Sequence, residues 1–141
     1  MLLRVDTTSA TPVYSQIISQ TKHAIASGVL REGDFLPSLR DTAKELRVNP
    51  HTVAKAYREL EVLGLVRTDQ GRGTYVTGSG VERTDAYIRE ELERLCEQLV
   101  VEGYHLGASP EQIIEIVGQK LTALLGEFES RDAGKVEDAN E

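Results

Sequence analysis

The stretch VNPHTVAKAYRELEVLGLV, residues 48–66, decides the fold. It opens on Asn49-Pro50, an N-cap residue followed by proline at the first helical position, and it stops at Gly64. Between these signals the apolar side chains follow helical spacing and predict one buried stripe, formed by Val53, Ala56, Tyr57, Leu60 and Leu63. At about 100° per residue, the opposite face carries His51, Lys55, Arg58 and Val62. The stretch therefore predicts a helix with a packed inner face and a basic outer face.

A shorter helix precedes it. Ser38 can cap this helix through its hydroxyl, and Asp41 occupies the third position of a capping box. The pattern predicts a helix over residues 39–46 whose inward side chains are Leu39, Thr42, Ala43 and Leu46. Because only Arg47 and Val48 separate this helix from the next cap, the two helices form a helix-turn-helix.

The residues after Gly64 read as strand, turn and strand. Residues 65–68 and 74–76 favour strands, and residues 69–73 contain the glycines of a tight turn. A hairpin directly after a helix-turn-helix is the wing of a winged helix. Upstream, we expect a short strand at residues 2–5 and a first helix at about residues 12–27, with Thr11 as its N-cap. The expected class is α+β, mainly α, with a winged helix-turn-helix over residues 1–78.

The distribution of charge divides the chain in two. The 141 residues carry a net charge of −7, which alone argues against a phosphate-rich partner. Residues 1–78, however, contain 10 Lys and Arg against 8 Asp and Glu, whereas residues 79–141 contain 6 against 15. The acid therefore belongs to the C-terminal part, and the N-terminal part is weakly basic.

Several classes of function are not expected. The chain length excludes a large two-domain enzyme, and no nucleophile with a base, paired carboxylates or metal-ligand spacing is present in the sequence. Cys96 is the only cysteine, and the three histidines lie far apart. We therefore expect no metal and no cofactor. No apolar run has the length of a signal peptide or a membrane span, so we expect a cytoplasmic protein without membrane contact.

The outer face of the third helix is the candidate DNA-binding surface. A recognition helix enters the major groove with its first turn leading, which puts base-edge contacts on His51, Thr52, Ala54 and Lys55. Lys55 could reach guanine acceptors or a phosphate. Asn49 and Pro50, at the start of the helix, are also predicted to be DNA-binding residues. Arg58, one turn further on, is placed to meet a phosphate. The alternative is that these residues form an ordinary solvated helix face. Because the helix is the second of a helix-turn-helix and is followed by a wing, its place in the fold favours binding in the major groove.

Two further segments fit the same duplex. Ser38 and Arg40 begin the second helix, whose positive end favours an anion. In the wing, Gly71 and Gly73 indicate a turn that needs positive φ, and they would also let the backbone approach DNA while Arg72 reaches a phosphate or the minor groove.

The sequence resembles the GntR family of bacterial transcription regulators, and its YtrA-type branch in particular. The resemblance covers about residues 1–78 and is carried by Pro12-Val13-Tyr14, Gly28-Val29-Leu30, Leu36-Pro37-Ser38-Leu39-Arg40, Val48-Asn49-Pro50, Ala56-Tyr57, Gly64-Leu65-Val66 and Gly71-Arg72-Gly73-Thr74-Tyr75-Val76. It implies that Arg40, His51 and Thr52 contact operator DNA. His51 departs from the residues usual at its position, so the resemblance does not carry over an operator sequence. It also implies a repressor, with membrane-transporter genes as targets.

The C-terminal part predicts two helices that need a partner. Residues 79–129 place one apolar seam before a break at residues 103–107 and a second after the Ser109–Gln112 cap; the seam residues are Ile88, Leu92, Leu95, Leu99, Ile113, Val117, Leu121, Leu124 and Phe128. A second copy of the chain is the expected partner, giving a homodimer and a palindromic operator. Cys96 is expected to be a small buried hydrophobe. Residues 130–141 are expected to be a disordered tail.

Two alternatives remain at this point. A winged helix can serve as a protein-interaction module without operator binding. DNA binding would weaken steeply with salt concentration, whereas binding to a protein partner would be much less sensitive to salt. Within the DNA-binding interpretation, a dimer-interface pocket between the C-terminal helices could hold an unidentified small-molecule effector. The acidic C-terminal part is expected to face away from the duplex.

Overall fold

The computed structural model of the chain describes residues 2–77 and 82–139, with side chains up to residue 126. Its elements are α1 (Val13–Ala26), α2 (Leu39–Leu46), α3 (Pro50–Val62), β1 (Val66–Asp69), β2 (Gly73–Val76), α4 (Asp85–Leu106) and α5 (Pro110–Ala139). They form two compact units, Met1–Val81 and Glu82–Glu141. The boundary expected after residue 78 lies outside the described residues. The expected class, mainly α with one small sheet, is confirmed.

The core of the N-terminal unit is built around α3, which packs against α1, α2 and β1. Val53, Ala56 and Leu60 have no exposed surface, and Tyr57 is nearly as buried. Only Leu63, at the end of the predicted stripe, is half-buried. Each fully buried side chain of the size of valine or leucine contributes about 1.5–3 kcal/mol. Burial of this stripe, more than helix propensity, therefore holds α3 in place.

Local hydrogen bonds set the starts of α2 and α3 as the sequence predicts. The Ser38 hydroxyl accepts a 3.0 Å bond from the backbone N–H of Asp41, and the Asn49 side chain accepts a 2.9 Å bond from the N–H of His51. Within the described residues the Asp41 carboxylate accepts no hydrogen bond from the backbone N–H of Ser38, because aspartate is one methylene shorter than the glutamate that closes a capping box. Leu39, expected to face inward, is 36% exposed because the first turn of α2 projects beyond the core.

The turn between α2 and α3 depends on one strained residue. Arg47 has a φ of 56°, in the left-handed region, and the N–H of Val48 then bonds the carbonyl of Ala43 at 3.0 Å. This is the helix-ending geometry that usually recruits glycine. The left-handed residue lets α3 begin after only two intervening residues, Val48 and Asn49.

The wing is the predicted hairpin with an additional edge. β1 and β2 pair antiparallel with Val66 opposite Val76 and Asp69 opposite Gly73. The segment before α2 adds to β2 through a bridge between Phe35 and Tyr75, with backbone bonds of 2.8–2.9 Å on either side. The wing is therefore fixed to the loop that leads into α2.

The strand expected at residues 2–5 is wrong. Among the described residues this segment has no strand partner. It lies along α1, where the Gln20 side chain accepts from the N–H of Arg4 and the Gln16 side chain accepts from the N–H of Asp6, each at 2.8 Å. Side-chain amides thus satisfy backbone groups that a neighbouring strand would otherwise satisfy. The N-cap expected at Thr11 is also wrong, because Pro12 takes that position with no side-chain cap bond.

In the C-terminal unit, α4 continues through Gly103, where the expected break at residues 103–107 begins, and ends at Leu106 with Gly107 as its C-cap at a φ of 80°. Gly103 lies inside α4 and leaves room for α5, since a Cβ there would lie 2.7 Å from Cδ1 of Ile113. The capping box at the start of α5 is confirmed, since Ser109 and Gln112 exchange bonds of 3.1 and 2.9 Å.

The sequence predicts a disordered tail from residue 130, and the structure describes residues 130–139 as the last part of α5, which ends at Ala139. Residues 140 and 141 lie outside the described residues. In the part of the chain that the structure describes, no helix is long and apolar enough to cross a membrane.

Candidate nucleic-acid interface

The outer face of α3 is free of the core, as the sequence predicts. His51, Lys55 and Arg58 are exposed, while Thr52 and Ala54 are half-buried beside them. Val62, on the same side at the end of the helix, is 77% exposed. The first two turns of α3 therefore present hydrogen-bonding groups and positive charge to solvent.

The N-terminus of α2 lies against α3 through a buried polar chain. The Tyr57 hydroxyl donates to the carbonyl of Pro37 at 2.9 Å and lies 2.9 Å from the hydroxyl of Thr42. Since the single phenolic hydrogen goes to Pro37, Thr42 must donate to the phenolic oxygen. Burial raises the pKa of Tyr57, and the Thr42 bond partly opposes this. These hydrogen bonds fix Pro37, the residue before Ser38, against the recognition helix. They thereby set the position of the first turn of α2, which carries Ser38 and Arg40.

Arg40 is exposed and follows Ser38 by two residues. The backbone N–H groups in the first turn of α2 and the Arg40 guanidinium both favour an anion. The candidate contacts on α2 and those on α3 therefore belong to one compact unit, in which Tyr57 couples their positions.

Lys55 has a partner that the sequence analysis missed. Its ammonium lies over the ring of Tyr14, 3.9 Å from the ring centroid. Tyr14 is in the first turn of α1, and no periodicity or spacing rule connects it with α3. The Pro12-Val13-Tyr14 motif gave the residue a place in the family resemblance but no role.

The turn of the wing presents Gly71, Arg72 and Gly73 to solvent. Gly71 and Gly73 have φ values of 80° and 110°, which confirms that the turn needs positive φ. Arg67 pairs with Asp69 at 3.5 Å, and so part of the charge of the wing is neutralised before the turn. Arg72 is therefore the cation that the wing offers most directly.

The C-terminal unit leaves an apolar face exposed. Ile88, Leu92, Leu95 and Leu99 are 44–54% exposed along α4, and Val117 and Leu121 are 40% and 49% exposed on α5. Ile113 and Leu124 are half-buried, and the side chain of Phe128 lies outside those described. Cys96, expected to be buried, is exposed, because within the described chain nothing packs on this part of α4.

A separate apolar pocket of about 340 Å³ lies where α4 meets α5. It is lined by Val100, Tyr104, Ala108, Pro110, Ile113 and Ile114. No charged side chain lines this pocket. Elsewhere in the described residues, no group of histidine, cysteine, aspartate or glutamate could hold a metal ion.

A helix-turn-helix whose recognition helix has a basic outer face, followed by a hairpin wing with glycines in its turn, defines the class of winged-helix DNA-binding regulators. Residues 13–76 match the family described as bacterial regulatory proteins, gntR family. The HTH-type transcriptional repressor YtrA of Bacillus subtilis (strain 168) is 38% identical over 118 residues, covering 81% of this chain and 88% of the repressor. The chain therefore belongs to the GntR family, and this similarity extends beyond the winged helix.

Solved structures agree with this assignment. A transcriptional antiterminator from Listeria monocytogenes EGD-e superposes with a TM-score of 0.72 at 29% identity, over 86% of this chain and 90% of that one. YtrA from Sulfolobus acidocaldarius, a GntR-family transcription factor, gives a TM-score of 0.54 at 36% identity, over 69% and 99%. These relatives are named for transcription, and as a member of the GntR family the protein is a DNA-binding transcriptional regulator.

Proposed function

We propose that the protein is a dimeric repressor that acts in the cytoplasm on a palindromic operator, and that it controls its own operon together with membrane-transporter genes. The observation that carries the proposal is the division of α3, whose apolar stripe is buried while His51, Lys55 and Arg58 remain exposed. A helix held this firmly can present its outer face to a groove with little loss of conformational entropy.

The proposed DNA contacts are of two kinds: some read base edges, and others position the protein on the sugar-phosphate backbone. His51, Thr52 and Ala54, on the leading turn of α3, are placed to meet base edges, and Arg58 is placed for a phosphate. On the flanks, the first turn of α2 contributes Ser38 and Arg40, the cap of α3 contributes Asn49 and Pro50, and the wing contributes Gly71, Arg72 and Gly73. These flanking groups fix the register of the protein on the duplex.

The exposed apolar face supports dimerisation. Packing between α4 and α5 is confined to the residues near their junction, among those described, so neither helix covers the seam of the other. Side chains such as Leu92 and Leu95, each about half exposed, would gain about 25 cal/mol for every Å² that a second copy covers. A two-fold dimer predicts operator half-sites about 34–36 Å apart, or a multiple of this distance.

The pocket between Tyr104 and Ile113 is where we place an effector, should one act on this repressor. Its volume of about 340 Å³ is that of a small-ligand site. Because its lining is apolar, it would select an uncharged ligand by burial.

The experiment is binding of the purified full chain to the DNA upstream of its own gene, measured across a salt series. We expect log affinity to fall linearly with log salt, with a slope of about −0.9 for each phosphate contacted. Arg40→Ala and Arg58→Ala should each weaken binding and reduce the slope. Lys22→Ala is the matched control: it removes one exposed positive charge from α1, outside the proposed contacts, and should leave binding nearly unchanged.

Binding that is insensitive to salt and to both arginine variants would contradict operator recognition and favour a protein-interaction module. Equal losses in all three variants would show that only net charge matters.

A further inference from the structure

A cation–π contact joins Tyr14, on α1, to Lys55, on the recognition helix. Lys55 is the one basic residue of the α3 outer face whose charged group rests on another element of the fold, with its ammonium 3.9 Å from the Tyr14 ring centroid. Among the described residues, Lys55 makes no ion pair with a carboxylate. The first turn of α1 contains no acidic residue. The charge is therefore held in position without being neutralised.

The ring is a fixed support for this charge. Tyr14 is half-buried and packs against the hydrophobic core, so its position is set by α1 and not by Lys55. A lysine side chain loses rotamer freedom worth about 2 kcal/mol when it is immobilised on a ligand. Resting on the ring, Lys55 has already lost part of this freedom before any duplex arrives.

The direction of the contact decides what Lys55 can reach. Its side chain is drawn from the outer face of α3 toward α1, to the flank of the recognition helix. In a helix-turn-helix complex the groove floor lies ahead of the recognition helix, and the sugar-phosphate backbone passes along its flanks. A compact ammonium on the flank suits a phosphate oxygen, which needs charge and no fixed hydrogen-bond geometry.

We propose that Tyr14 is a positioning residue whose ring holds the Lys55 ammonium at the flank of α3, where it neutralises a backbone phosphate and does not read a base. The proposal rests on the DNA-binding function proposed above and narrows the role of Lys55 within it. Base discrimination then falls to His51, Thr52 and Ala54.

The contact can first be measured without DNA. In the NMR spectrum of the free protein, the ε-methylene protons of Lys55 should be shifted upfield of those of the other lysines by the Tyr14 ring current. The shift should persist in Tyr14→Phe and vanish in Tyr14→Met, which keeps an apolar side chain of similar bulk. A Lys55 shift unaffected by Tyr14→Met would overturn the contact.

Binding is then measured to two duplexes, the DNA upstream of the gene and an unrelated duplex of equal length. Lys55→Met should weaken both by the same factor and reduce the salt slope by about 1. Tyr14→Met should weaken binding roughly two- to fivefold, the range of an exposed cation–π contact, whereas Tyr14→Phe should stay within about twofold.

The positioning role is tested by a double-mutant cycle. In the Lys55→Met background, Tyr14→Met should have no further effect, while in the matched Arg58→Met background it should keep its full effect. Additive losses of Tyr14 and Lys55, or a Lys55→Met loss confined to the upstream duplex, would overturn the proposal. If the wild-type protein bound neither duplex, the proposed function itself would fail, and this inference with it.

Discussion

The hydroxyl of Tyr57, on the recognition helix, donates a 2.9 Å hydrogen bond to the carbonyl of Pro37, the residue before the N-cap of α2. Thr42 completes the chain from the next turn of α2. Both Thr42 and Tyr57 are buried, and in the described residues no buried side-chain polar atom lacks a partner. The two helices of the helix-turn-helix are thus joined by polar bonds as well as by apolar packing. Substitutions in these hydrogen-bonded residues test most directly how α2 and α3 are held together.

Tyr57→Phe should destabilise the protein by about 1–3 kcal/mol, because it leaves the Pro37 carbonyl without its donor and the Thr42 hydroxyl without its acceptor. Thr42→Val should cost less, because the bond to Pro37 survives. Urea denaturation at fixed protein concentration measures both changes. A larger loss for Thr42→Val than for Tyr57→Phe would contradict the hydrogen-bond direction assigned here.

The same phenol predicts a loss of stability in alkali. Burial raises the pKa of Tyr57 in the folded state above the unfolded value of about 10. The stabilising effect is fully present below about pH 10 and is lost as the pH rises toward the folded pKa, by up to about 1.4 kcal/mol per pH unit, because the unfolded chain releases this proton first.

The measurement is urea denaturation of the wild type and of Tyr57→Phe between about pH 8 and 11. The difference between the two curves isolates Tyr57 from the other tyrosines. It should shrink above about pH 10. A constant difference would mean that the phenol is not perturbed by burial.

Arg47→Gly should stabilise the winged helix by roughly 0.5–1 kcal/mol, because a side chain at φ 56° is strained and glycine is not. Arg47→Ala removes the same charge but keeps the Cβ atom, so it should give no such gain. Thermal denaturation of the three proteins distinguishes backbone strain from charge. An equal gain from alanine would assign the effect to the charge.

Leu95→Glu should convert the proposed dimer to monomer, raising its dissociation constant more than about 100-fold, since the interface would then bury two unpaired carboxylates, one from each copy. Ala86→Glu adds the same charge to the opposite face of α4 and should leave the dimer intact. Sedimentation equilibrium gives the constants. A protein that is monomeric before any substitution would contradict the proposed dimer.

The sequence was sufficient to predict those parts of the candidate site whose residues lie on a single helix. The periodicity of α3 separates Val53 and Leu60 from Lys55 and Arg58, and helical geometry alone puts the two pairs on opposite faces. The partner of Lys55 was not predictable, because Tyr14 lies on another helix and no local rule brings the two together. The exposure of Cys96 was missed for a related reason, since the apolar seam beside it has no cover within the described chain.

The sequence by itself determined the helix-turn-helix, its caps, the wing turn and the Ser109–Gln112 capping box, because each depends on contacts between residues a few positions apart. Only the tertiary structure decided that residues 2–6 lie on the glutamines of α1 and that Tyr57 reaches Pro37, 20 positions away. It also decided that α4 continues through Gly103, where a glycine that reads as a stop instead makes room for Ile113. Local rules describe what a segment can adopt, whereas packing between distant segments selects which of these states is stable.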